Sequence, residues 1–105
     1  MDEESLAIFD ILTRPEPTLS DVEREVVKKV AKELLAKLKT EKLVLEWREK
    51  MQARADVQRT IRQAVRALPP AYSPELKRVK VNLTYAHVYD SYFGSGGSLY
   101  QAAVH

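Results

Sequence analysis

The sequence predicts an all-α fold, an irregular four-helix bundle or array over about residues 2–13, 20–38, 40–68 and 73–93, followed by a Gly/Ser-rich C-terminal tail. Three observations predict it. Apolar residues recur at three- and four-residue spacing in each of the four segments, the period of a helix with one face turned to a core. Prolines and helix-start residues punctuate the chain where one segment gives way to the next. No stretch shows the alternation of apolar and polar residues that marks a strand.

In the first segment Leu6, Ile8, Phe9 and Leu12 share a helical face, and Pro15-Glu16-Pro17 stops it, because proline lacks a donor and restricts its predecessor. Ser20-Asp21-Val22-Glu23 then reads as a capping box, with serine as N-cap and glutamate three residues on. Behind it Val22, Val26, Val27, Val30, Leu34, Leu35 and Leu38 form an amphipathic stripe. Thr40 is the expected cap of a third helix. Its Leu43, Trp47, Met51, Val57, Ile61, Val65 and Leu68 fall within about 120° of one another, which predicts one continuous helix up to Pro69-Pro70. Arg54 lies inside that apolar arc, so its guanidinium should be paired, with a carboxylate or with helix-terminal carbonyls.

Ser73-Pro74-Glu75 opens the fourth helix: an N-cap serine, a proline in the first turn and an acid facing the positive helix end. The expected end is Phe93, with Gly94 as a left-handed C-terminal cap. This helix is apolar on two sides, Leu76, Val79, Leu83 and Ala86 on one and Val81, Tyr85, Val88 and Tyr92 nearly opposite. Such a helix is expected to be sandwiched, within its own domain or against a neighbour. After Gly94 the residues Ser95 to Ser98 read as a pliable connector, with Leu99 and Tyr100 the apolar residues beyond it able to anchor.

Composition narrows the function. The 105 residues suit a single domain with a compact radius of gyration of roughly 13 Å. Absence of cysteine excludes a disulfide framework and a thiolate metal site, and fits the cytosol. No apolar run approaches the ~18 residues of a membrane span, so no membrane partner is expected. The net charge of +2 is unevenly spread: residues 1–40 carry seven basic and nine acidic residues, residues 41–80 ten and five, and residues 81–105 a single acid. The positive charge belongs to the middle of the chain.

The chain has no GxxxxGK[ST] phosphate loop, no GxGxxG and no HExxH. His87 and His105, 18 residues apart, are too few for a metal site, and no cofactor is expected. His87 and Asp90 stand three apart on one helical face, spaced as an acid–base pair or as a hydrogen-bonded pair anchoring the helix. No nucleophile with an activating partner accompanies them, which favours the structural role. On the third segment Arg48, Arg59, Arg62 and Arg66 cluster within about 60°. That row suits phosphates, acids of a partner, or a solvated face with buried stems. Tyr85, Tyr89 and Tyr92 are candidate interface anchors, since tyrosine joins apolar area to a polar tip, and candidate core residues for the same reason.

Several stretches together resemble the C-terminal helical region of the R (restriction and motor) subunit of type I restriction–modification enzymes. They are Leu6-Ala7-Ile8-Phe9-Asp10-Ile11-Leu12-Thr13-Arg14-Pro15, Glu41-Lys42-Leu43-Val44-Leu45-Glu46-Trp47-Arg48, Gln52-Ala53-Arg54-Ala55, Leu68-Pro69 with Tyr72-Ser73-Pro74-Glu75-Leu76, and His87-Val88-Tyr89-Asp90-Ser91-Tyr92. The resemblance spans about residues 5–100 in order and spacing. Glu46 departs from a common aspartate, and Phe93 from a common tyrosine. The resemblance implies one helical module of a much longer multidomain subunit, an ATP-dependent translocase and endonuclease acting on DNA in the prokaryotic cytoplasm. It implies docking of the motor onto the core of M and S subunits or against other R-subunit domains, with ATP, Mg²⁺ and nuclease chemistry elsewhere in the parent. The alternative is an independent, weak, non-specific DNA-binding domain built on the arginine row.

Overall fold

The structure, a computed structural model, describes residues 1–94 and 97–98. Four α-helices carry it: α1 (Glu3–Thr13), α2 (Asp21–Lys37), α3 (Met51–Arg66) and α4 (Pro74–Ser91). Three of the four starts follow from side-chain caps. Asp2 accepts from the Ser5 amide at 2.7 Å. Ser20 and Glu23 form the reciprocal capping box, and Ser73 accepts from the Leu76 amide with Pro74 at the helix start. Each satisfies an amide that the first helical turn leaves without a partner.

The third helix departs from expectation. It begins at Met51, not near Thr40. Helix α2 instead runs on into a π-helical turn, Leu38–Lys42, closed by the Leu43 amide on the Leu38 carbonyl. Thr40 behaves as a mid-helix residue, donating its hydroxyl to the Ala36 carbonyl at 2.8 Å. The chain then bends through a left-handed Glu46 (φ 57°, ψ 31°) into a 3-10 turn, Trp47–Glu49. Leu43 and Trp47 are buried as the apolar arc requires, yet Met51 in the same arc is 79% exposed. The arc recorded which side chains reach the core, and a bent backbone delivers two of them as well as a helix would.

The last helix also ends early. Tyr92 follows it in extended conformation (φ −123°, ψ 123°), and Gly94 lies beyond in a short strand rather than as a left-handed cap. The physical reason is what Tyr92 does by leaving the helix. Its ring is 1% exposed, its hydroxyl donates to Glu4 Oε1 at 2.8 Å, and its carbonyl accepts from Trp47 Nε1 at 3.2 Å. Strand β1 (Tyr92–Gly94) pairs antiparallel with β2 (Gly97–Ser98), matching Tyr92 to Ser98 and Gly94 to Gly97 across a register shift. The connector and anchor expected around Ser95, Leu99 and Tyr100 otherwise lie outside the described residues.

α1 packs chiefly on α2 and α3 on α4, and contacts of α1 with α4 and of α2 with α3 close the array. A single core runs through it: Ile8, Phe9 and Leu12 of α1, Val27, Val30, Leu34 and Leu35 of α2, Leu38, Leu43 and Trp47 from the turns, Val57, Ile61 and Val65 of α3, then Leu68, Tyr72, Val88 and Tyr92. The radius of gyration is 13.5 Å. Two polar clamps tie α1 to the rest of the array. Lys39 reaches Glu4 at 3.1 Å beside the Tyr92 hydroxyl, and the Tyr72 hydroxyl donates to the Leu12 carbonyl at 2.7 Å. Burial pushes the Tyr72 phenol up to about 12, so it stays a donor at any physiological pH.

Candidate functional site

Helix α4 positions the surfaces that matter, and its faces invert the usual order. The face turned into the core carries Lys80, Thr84, Val88 and Ser91, all buried. Lys80 is 1% exposed. Its ammonium donates to the carbonyls of Ile11 at 2.8 Å and Arg14 at 2.9 Å, at the C-terminal end of α1. A cation there meets the negative end of the helix and satisfies carbonyls that have no helical donor. Burial still lowers its pKa from the ordinary lysine value, with the Glu16 carboxylate opposing that shift. Nothing in the sequence marked Lys80 as more than a surface lysine. Thr84 Oγ1 is buried and, among the described residues, has no hydrogen-bond partner.

The flank turned outward is apolar. Val79 is 43% and Leu83 48% exposed, Ala86 is exposed and Leu76 half-buried. These are the residues of one predicted apolar side. The other side is inward: Val88 and Tyr92 are buried, and Val81 and Tyr85 pack against the core. One of the two apolar sides therefore serves the chain's own core, and the other, apart from Leu76 packed at the core's edge, faces solvent.

The predicted aromatic anchors form a cluster around Trp47. Tyr85 and Tyr89 meet its indole edge-on at 6.3 and 5.8 Å between ring centroids. Arg48, placed by the 3-10 turn and not by α3, lies over the Tyr89 ring at 5.4 Å and donates to the Tyr89 carbonyl at 3.1 Å. Tyr89 keeps an exposed edge, whereas Tyr92 is fully internal. Arg54, half-buried, donates from Nη1 to the Arg48 carbonyl at 2.6 Å, fastening α3 to the turn before it.

His87 is half-buried, with Ser91 Oγ 3.4 Å from Nδ1 and the Tyr92 ring edge-on at 6.5 Å. Burial lowers its pKa, and the Asp90 charge opposes this as the lesser influence. The imidazole is thus held towards its neutral form in a packed environment. Gly94, the remaining residue predicted at this end, lies in β1.

The arginine row divides. With Arg48 on its own turn, Arg59, Arg62 and Arg66 remain along α3, and Arg59 pairs with Asp56 one turn back at 2.9 Å. Arg62 and Arg66 instead line a groove of about 340 Å³ between α3 and α4. Its other walls are Lys77, Arg78 and Asn82 of α4, over Val65 and Val81. Sequence reasoning missed Lys77 and Arg78 because it sought a row on one helix, and the groove exists only once α3 and α4 pair. Among the described residues no three histidine or acidic side chains converge as a metal site would require. No helix among them is long and apolar enough to cross a membrane.

A family model described as Type I restriction enzyme HindI endonuclease subunit-like, C-terminal, covers residues 1–88. No curated protein and no solved structure matches the chain.

Proposed function

The chain belongs to the family of C-terminal regions of type I restriction enzyme HindI endonuclease subunit-like proteins, and from that membership we propose that it is a non-catalytic assembly module. In this reading it docks the ATP-dependent translocase and endonuclease subunit onto the M and S subunits of the methyltransferase core. The observation that carries the reading is the outward flank of α4. Val79, Leu83 and Ala86 make a helical stripe that the chain's own core does not use, while Leu76 at its start packs partly against that core. An apolar stripe rimmed by charged residues marks an interaction site more often than it marks idle surface. Tyr92 at the end of α4 is clamped to Glu4 of α1, and Tyr72 just before α4 to Leu12 of the same helix, so α4 presents its flank on a rigid scaffold.

The groups with the strongest chemistry support the same reading. Lys80, Arg54 and Trp47 are all engaged in holding elements of the fold together. ATP, Mg²⁺ and the nuclease carboxylates belong, in this proposal, to other domains of the parent subunit, and the site of action is the prokaryotic cytoplasm. Calorimetric titration of this chain into a purified M–S complex tests the proposal. Saturable binding with a negative heat-capacity change, little altered by salt, is expected, since burial of apolar surface carries that signature. Absence of binding at the highest attainable concentration overturns it.

A further inference from the structure

We propose that the groove between α3 and α4 binds the phosphate backbone of duplex DNA without reading its sequence. Four cationic side chains wall it, Arg62 and Arg66 from α3, Lys77 and Arg78 from α4, with the amide of Asn82 beside them and Val65 and Val81 beneath. No carboxylate lines it. Among the described residues none of the four cations makes an ion pair or a side-chain hydrogen bond, in contrast to Arg48, Arg54, Arg59, Lys39 and Lys80. Like charges gathered in one concavity without counter-charge repel one another, and a polyanion relieves that repulsion while the apolar floor strengthens the attraction.

The donor set selects the ligand. Guanidinium groups fork onto phosphate oxygens with two parallel hydrogen bonds. Arg62 and Arg66 stand one turn apart, as do Arg78 and Asn82, so each wall offers donors about 5–6 Å apart along its helix. No aromatic side chain lines the groove, which removes the stacking platform that single strands require. Contacts limited to phosphates carry no sequence information. The groove and the apolar flank lie roughly 150° apart around α4 at 100° per residue, so this proposal and the docking proposal use different surfaces and fail independently.

The test is fluorescence anisotropy of a labelled random-sequence duplex titrated with this chain at several salt concentrations. Four phosphate contacts predict a dissociation constant on the order of 10⁻⁴ M near physiological salt, with log affinity falling against log salt at a slope of about −3 to −4. Two half-groove variants, Arg62→Gln/Arg66→Gln and Lys77→Gln/Arg78→Gln, should each lower that slope by about 2 and weaken binding at least tenfold at low salt. A control that removes as much charge elsewhere, Lys32→Gln/Lys37→Gln, should keep the slope. The proposal is overturned if the chain fails to bind at about 50 mM salt, if the control loses as much as the groove variants, or if polyglutamate displaces the probe as well as unlabelled duplex does. That last outcome would make the occupant an acidic protein. The melting temperature of each variant distinguishes lost binding from lost fold, and either half-groove variant alone suffices for the test.

Discussion

Helices α2 and α4 are nearly equal in length, 17 and 18 residues, and they follow opposite patterns. From Val27 onward α2 buries only apolar residues, Val27, Val30, Ala31, Leu34 and Leu35, and turns its charges to solvent. Helix α4 buries Lys80, Thr84 and Ser91 along with Val88, and leaves Val79 and Leu83 outside. The first arrangement is fully accounted for by this chain's own core. The second is not, and the difference marks a helix face with more apolar surface than the core uses. Val44 and Leu45 in the bend before α3, and Met51 at its start, are likewise exposed. α2 also exposes Val22 and Val26, but only in its first two turns, ahead of the stripe that carries its packing.

Substitutions on the inward face of α4 break the comparison most severely. Lys80→Ala removes the donor to two carbonyls at the end of α1 and should destabilise the chain by about 2–4 kcal/mol, measured by denaturant unfolding. A cost below about 0.5 kcal/mol, the size of an ordinary surface change, would mean that water replaces the ammonium there. Thr84→Val acts in the opposite direction. It exchanges a buried hydroxyl without a partner for a methyl of similar size, and should stabilise the chain by about 1 kcal/mol. Loss of stability would reveal a hydrogen bond that forms in solution.

The smallest effect on this face concerns pH. The folded-state pKa of His87 lies below the ordinary 6.5, so the unfolded chain binds its proton more tightly. His87's contribution to stability is therefore complete above pH 6.5 and declines as the pH falls from there through the lowered folded value. Unfolding curves at pH 7 and pH 5.5 should differ less for His87→Gln than for the natural chain, and His105, common to both proteins, cancels. An unchanged difference would exclude His87 as the source.

How far the sequence revealed this depends on what kind of signal each element leaves. The capping box at Ser20 and the Ser73-Pro74 start are local hydrogen-bond chemistry and are readable without tertiary contacts. The bend between Leu43 and Lys50 left no such mark. It contains neither glycine nor proline, and its left-handed residue is Glu46. The C-terminal glycine suggested a helix cap, but the contacts of Tyr92 with Glu4 and Trp47, 88 and 45 residues away, end the helix sooner. The site divides along the same line. The two apolar sides of α4 were legible from spacing, whereas which side faces outward depended on Lys80 reaching across to α1. The basic groove needed two helices, and only half of its cations belonged to the predicted row.

The central claim is that the outward flank of α4 serves a partner and not the fold. The double substitution Val79→Asp/Leu83→Asp tests it most directly, with stability and affinity for the purified M–S complex measured on the same protein. The account predicts a free energy of unfolding within about 0.5 kcal/mol of the natural chain, because both side chains are already exposed. It also predicts at least a tenfold loss of affinity, about 1.4 kcal/mol or more. Unfolding of the variant would show that the flank belongs to the core, and undiminished affinity would show that the partner binds elsewhere; either result contradicts the account.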